Sequence, residues 1–186
     1  VGGTVAMIER AKDLKEEKSQ SFSASADMYH RFGAFQTNLL IEGFYTRLTD
    51  VFVLGEPYDR GDGILVKTRS NGPGAKVMGL TLEGKVAYLS ILQIQAGLTL
   101  QRSRYDEPHK WHDDAPAEKK IFRTPDTYGY FTATCTPIKP LSIALSGTYT
   151  GRMLVQRMDI TAENAELGEM PERKAEAIRT PRFFDL

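Results

Sequence analysis

Cysteine is nearly absent from this sequence: Cys135 is the only one in 186 residues. That excludes an internal disulfide framework and any metal site assembled from several thiolates. Long apolar runs are missing as well. None approaches the roughly 18–20 residues that a membrane-spanning helix needs, and no basic segment leading into an apolar run and a small-residue cleavage site opens the chain. An excess of either charge is lacking too, with 24 basic and 24 acidic residues. No global field recruits nucleic acid or an anionic surface, and no nucleic-acid partner is expected. A helical membrane protein is thereby excluded. A membrane β-barrel is not, because its lumen-facing residues keep mean hydropathy low.

What the sequence does have is alternation. In "ILQIQAGLTLQ", Leu92, Ile94, Ala96, Leu98 and Leu100 fall on one side, and Gln93, Gln95, Gly97, Thr99 and Gln101 on the other. Successive side chains of a strand point to opposite faces, so this strand has one oily wall and one polar, uncharged wall. The pattern predicts strands over Gln20–His30, Gln36–Val53, Ala75–Leu89, Leu92–Arg104, Thr127–Thr136 and Leu141–Leu154, and the final "FFDL" reads as the start of a seventh. Connections alternate in length. "RFGAF", "LSI" and "TPIKP" are short, whereas Leu54–Gly74, Tyr105–Pro125 and Val155–Pro181 are long, polar and rich in turn formers. Short turns at one end and long loops at the other describe an all-β, up-and-down antiparallel meander, as in a transmembrane barrel with short periplasmic turns and long extracellular loops.

The two faces sort by chemistry. Ser21, Ser23, Ser25 and Asp27 oppose Phe22, Ala24, Ala26 and Met28; Thr81, Glu83 and Lys85 oppose Met78, Leu80, Leu82, Val86 and Tyr88, with Lys76 at the rim of the apolar side. A Lys or Arg misplaced at the centre of hydrocarbon costs about 2–4 kcal/mol, so charges confined to the polar face are what a lipid solvent demands. The predicted strands exceed the roughly 5–6 residues usual in soluble proteins and suit the 9–11 needed to cross a bilayer at a tilt. Tyr45, Tyr88, Tyr105 and Tyr149 lie toward strand ends, where an interfacial aromatic girdle would stand.

At this point the sequence resembles a known family. "DLKEEKSQSFSASADMY", "NLLIEGFYTRLTDVFVL", "RSNGPGAKVMGLTLEGK" and "RTPDTYGYFTATCTPIKPLSIALSGTYTGRML" are similar, in that order, to the C-terminal half of the barrel of TonB-dependent outer-membrane receptors. The matching features fall on Leu14 to Ser19, Gly43 to Val53, Asn71 to Glu83, Thr124 to Tyr130 and Leu141 to Gly151. The resemblance implies that residues 1–186 are a partial barrel domain of six to seven strands within a 22-stranded barrel, roughly the size that holds a plugged lumen. The plug domain, TonB box and closing strands are expected outside this stretch. It further implies an outer-membrane receptor of a Gram-negative bacterium that imports a scarce nutrient, such as a ferric siderophore, haem or cobalamin. The partners implied are the TonB energy-transduction system acting through the plug, the nutrient ligand and outer-membrane lipid. No cofactor is implied.

Ligand contacts are expected in the long loops. Tyr58, Asp59 and Arg60 in "GEPYDRGDG", and His109, Trp111 and His112 in "SRYDEPHKWHDDAPAEKK", are the candidates. Imidazole with the neighbouring Asp113 and Asp114 suits a transition metal, but a lid with chance histidines, and Asx turns at solvated tips, explain the same residues, and no metal site is assigned. The "RGD" at Arg60 to Asp62 and the lone Cys135 are given no role. Thr161 to Ala177 reads as a solvated loop with some helical turns. Asp27, Glu42, Glu83 and Lys85 read as polar wall contacts and not as acid/base groups. No serine sits in a nucleophile elbow, and an enzyme is not expected. Two other readings share parts of this pattern: a passive porin or barrel adhesin, and a soluble β-sandwich that binds a sugar or lipid.

Overall fold

The computed structural model describes residues 7–55, 57–61, 64–110, 115–161 and 172–186. In chain order these form β1 (Met7–Arg10), β2 (Lys18–Phe32), β3 (Phe35–Thr49), β4 (Phe52–Leu54), β5 (Tyr58–Asp59), β6 (Leu65–Asn71), β7 (Ala75–Tyr88), β8 (Leu92–His109), β9 (Glu118–Lys120), β10 (Thr127–Ile138), β11 (Leu141–Thr150), β12 (Leu154–Thr161), β13 (Glu172–Arg179) and β14 (Phe183–Asp185). Among the described residues there is no helix.

The long strands form one sheet in the order β2-β3-β7-β8-β10-β11-β14, with β9 added to the far end of β8. Every pairing in it is antiparallel. This is the meander expected from the alternation. Its short connections are made by Gly33 and Ala34, by Leu89 to Ile91, and by Lys139 and Pro140. Gly33 takes a positive φ of 58° in the first of these, a conformation that suits the twist of a tight hairpin and that other residues resist.

The register joins like with like. Asn38 pairs with Tyr29 and Lys85, Lys85 with Gln95, Gln95 with Thr132 and Thr132 with Ser146, so one row of polar side chains runs across six strands. The adjacent row on the other face is Met28, Leu39, Gly84, Ala96, Phe131 and Gly147. Because the side-chain period is two, a slip of one residue anywhere would carry charge onto the apolar face.

Burial is inverted relative to a water-soluble sheet. On β8, Leu98 and Leu100 are 41% and 47% exposed, while Thr99 and Ser103 are only 7% and 2% exposed. Leu80, Leu82, Val86, Ile94, Ile143 and Leu145 are exposed as well, and among the described residues the buried apolar ones are few: Val66, Ala75, Ala115, Leu154 and Ala175. Nothing in the described chain covers the oily face. A soluble sandwich would need another sheet on the apolar side, and none is there among the described residues.

The long connections carry structure that alternation does not reveal. β4, β5 and β6, from the connection after β3, form a small sheet with β1, in which β6 pairs with β1, in parallel, and with β4 and β5, antiparallel. The connection after β11 contains the antiparallel pair β12 and β13. Helical turns expected in Thr161 to Ala177 are not found in its described part: Glu172 to Ala177 belongs to β13, where pairing with β12 prevails over helix-favouring composition. The strand expected to run to Val53 stops at Thr49, because Asp50 has a positive φ of 54° and turns the chain out of the ladder. The strand expected to reach Leu154 stops at Thr150, short of Gly151, whose amide donates to the carbonyl of Thr127 at 2.7 Å.

Candidate functional site

The polar face holds a hydrogen-bonded cluster across β7, β8 and β10. Tyr130 donates its hydroxyl to Oε2 of Glu83 at 2.6 Å. Gln95 donates from Nε2 to Oε1 of the same carboxylate at 2.8 Å and to the Tyr130 oxygen at 2.9 Å. Gly97 pairs with both Glu83 and Tyr130, and a Cβ there would lie 2.5 Å from the Tyr130 ring. The missing side chain is what lets the ring lie across β8. Thr81 and Thr99 share a hydroxyl contact of 3.0 Å beside it. A second group lies on β2 and β3, where Asp27 accepts from the Tyr29 hydroxyl at 3.0 Å and from the Asn38 amide. Both carboxylates are occupied by neutral donors. Asp27 and Glu83 thus sit in hydrogen-bonded groups on the polar face.

The apolar face ends in aromatic residues at the short-turn end. Phe32, Phe35 and Tyr88 occupy one row, and the rings of Phe35 and Tyr88 lie 4.7 Å apart. Tyr45 and Tyr149 also lie on this face, by their pairing with Phe22 and Met78 and with Phe184. Tyr105 does not. Its register opposite Ala75 places it on the polar side, and its ring stands 5.5 Å from His109. Ten residues separate Phe35 from Tyr45 and Met78 from Tyr88. At ~3.3 Å per residue and a tilt near 45° the apolar band is therefore about 23 Å tall, close to the ~25 Å of membrane barrels.

The loop candidates divide between two sheets. Tyr58 and Asp59 form β5 and Arg60 follows them. Arg60 makes an ion pair with Glu9 of β1 at 3.3 Å, and the Tyr58 hydroxyl lies 3.5 Å from the same carboxylate. Asp59 accepts the amide of Gly61 at 2.8 Å, an Asx turn. Glu9 escaped the sequence reading because it lies 51 residues from Arg60. His109 ends β8, its backbone paired with Glu118. Trp111 and His112, with Asp113 and Asp114, lie outside the described residues. Among the described residues no three His, Cys, Asp or Glu side chains converge as a metal site.

Asn71, within one of the family-like motifs, is a structural tie. It accepts the Lys15 amide at 2.7 Å and donates from Nδ2 to the carbonyls of Lys15 and Asp50 at 2.9 and 2.7 Å. Three chain segments are thus fastened where β3 leaves the wall. Beyond Leu100, the last apolar position of β8, the outward side chains are Arg102, Arg104 and Asp106. The Lys76 ammonium, 2.6 Å away, holds the Asp106 carboxyl below the usual aspartate range.

No helix of the described chain is long and apolar enough to cross a membrane. No family model matches the sequence, and no curated protein matches it. Among solved structures, the chain is similar to the FrpB iron transporter from Neisseria meningitidis (F3-3 variant), with a TM-score of 0.57 and 14% identity. The match covers 96% of this chain and 25% of that one, so the chain spans about a quarter of the length of the transporter it matches. At that identity the likeness speaks for fold alone. The chain has the fold of a segment of an outer-membrane transporter barrel.

Proposed function

We infer that this chain is part of the barrel wall of an outer-membrane receptor that imports a scarce nutrient with TonB-coupled energy. The observation that carries the reading is the inverted polarity of the sheet: oily side chains exposed on one face and a hydrogen-bonded polar wall on the other. Lipid on one side and an aqueous or plug-filled lumen on the other account for both. The likeness to an iron transporter and the order of the receptor-like motifs favour a ferric chelate as cargo, with haem and cobalamin in the same class. The β2 edge of the segment then pairs with preceding wall strands, since a membrane barrel leaves no edge open. Tyr58, Asp59, Arg60 and His109 stand at the loop end, where a ligand would arrive, and Trp111 and His112 are further candidates by their nearness to His109 in the sequence. The Glu83, Gln95 and Tyr130 cluster faces the plug, so the role of these residues is positioning and contact and not catalysis.

Cell fractionation of the full-length protein tests the reading. It predicts outer-membrane localisation, a shift in gel migration on boiling, surface protease cleavage within the connection after β8, and uptake of a ferric chelate that stops when the proton-motive force is collapsed. A soluble protein without a heat shift would overturn it. Uptake indifferent to the proton-motive force would make the protein a passive pore.

A further inference from the structure

The apolar face is not neutral to its edge. At the long-loop end, the register places Arg47 opposite Lys76, Lys76 opposite Arg104, and Arg104 opposite Lys120. Arg102 stands one step nearer the band, opposite Met78. Like charges set directly opposite one another on neighbouring strands repel, so such a row requires anions. The chain supplies two: Asp106 with Lys76 at 2.6 Å, and Asp126 with Lys120 at 2.5 Å. Among the described residues Arg102, Arg104 and Lys119 take part in no ion pair. These three, with Lys76, Asp106 and Met78, line a cleft of about 270 Å³. The opposite end of the same face has no such group; its last row reads Phe32, Phe35, Tyr88, Leu92, Cys135 and Ile143.

We propose that this cationic rim binds the phosphate groups of lipid headgroups in the leaflet on the long-loop side. The inference rests on the membrane reading of the wall. The cleft opens where apolar positions give way to charge, with Met78 in its lining and Leu80 and Leu100 next along the strands. A phospholipid matches both halves: its phosphate meets guanidinium groups, whose planar forks fit phosphate oxygens, and its acyl chain continues over the leucines. A free anion would use only the first half.

The test places the full-length protein in phosphatidylcholine nanodiscs that contain a trace of spin-labelled phosphatidylglycerol or spin-labelled phosphatidylcholine, and measures the share of each label immobilised at the protein. The expected result is a preference for phosphatidylglycerol that falls by up to about five-fold per cation removed and is lost when Arg102→Gln, Arg104→Gln and Lys119→Gln are combined. Arg10→Gln, Lys12→Gln and Lys15→Gln together, which make the same change in net charge away from the cleft, should leave it intact. Equal immobilisation of the two labels by a protein that inserts and shows its heat shift would overturn the proposal and leave the barrel reading standing. A preference abolished by sodium phosphate, but not by sodium chloride of equal ionic strength, would assign the cleft to a free anion and overturn the lipid source. Failure to insert at all would remove the barrel reading and this inference together.

Discussion

Tyr130 donates its hydroxyl to Glu83 at 2.6 Å although β8 runs between their strands. The contact exists because Gly97 lies between them and presents no Cβ to the ring. Gly97→Val should push the ring off the wall, and Tyr130→Phe should cost about 1 kcal/mol, near the middle of the range for a single hydrogen bond, because the partly exposed site discounts the charged partner. Urea unfolding of the full-length barrel with a Glu83→Gln double-mutant cycle reads the coupling. Additive effects of the two substitutions would mean that the contact does not contribute.

Asn71 ties Lys15 and Asp50 to β6 through three hydrogen bonds. Asn71→Ala is expected to cost about 1–3 kcal/mol by leaving these backbone groups unpaired, and to open residues 11–17 and 50–55 to protease while the wall stays folded. Limited proteolysis followed by mass spectrometry locates the cuts. Unchanged cleavage would show that the loop sheet is held by its strand pairing alone.

Gly33 turns the first hairpin at a φ of 58°. Gly33→Val should destabilise the barrel by about 1–2 kcal/mol, the cost of a left-handed conformation for a residue with a side chain. The neighbouring Ala34→Gly carries no such penalty. Comparison of the two unfolding midpoints checks the assignment, and equal midpoints would contradict it.

Leu82 lies midway along the apolar run of β7. Leu82→Arg should cost about 2–4 kcal/mol in a bilayer, whereas Thr132→Lys, in the polar row of Asn38 and Gln95, should be tolerated. If both changes were tolerated equally, the oily face would not be in hydrocarbon.

The wall was legible in the sequence because strands of ten or more residues give a period of two enough room to show itself. Strand ends were less legible. Asp50 leaves the ladder through a backbone conformation that its side chain does not announce, and β8 continues past Arg104 to His109 because β9, formed later in the chain, supplies a partner. The loop strands were invisible for the same reason: β5 has two residues, and β1 finds β6 in parallel across more than fifty positions. The loop candidates could be named by composition, but the pairing of Arg60 with Glu9, and the reach of Tyr130 over Gly97, depend on register and appear only once the strands are aligned.

The central claim is that the two faces of the sheet meet different solvents. Spin labels placed singly at residues 92–100 of the full-length protein in its membrane, with Cys135 replaced by alanine, test it most directly through collision with oxygen, which concentrates in lipid, and with a nickel chelate, which stays in water. The account predicts oxygen access at Leu92, Ile94, Ala96, Leu98 and Leu100 and exclusion of oxygen at the residues between them, a strict period of two. Equal access of the nickel chelate to both sets would place water on the oily face and contradict the account.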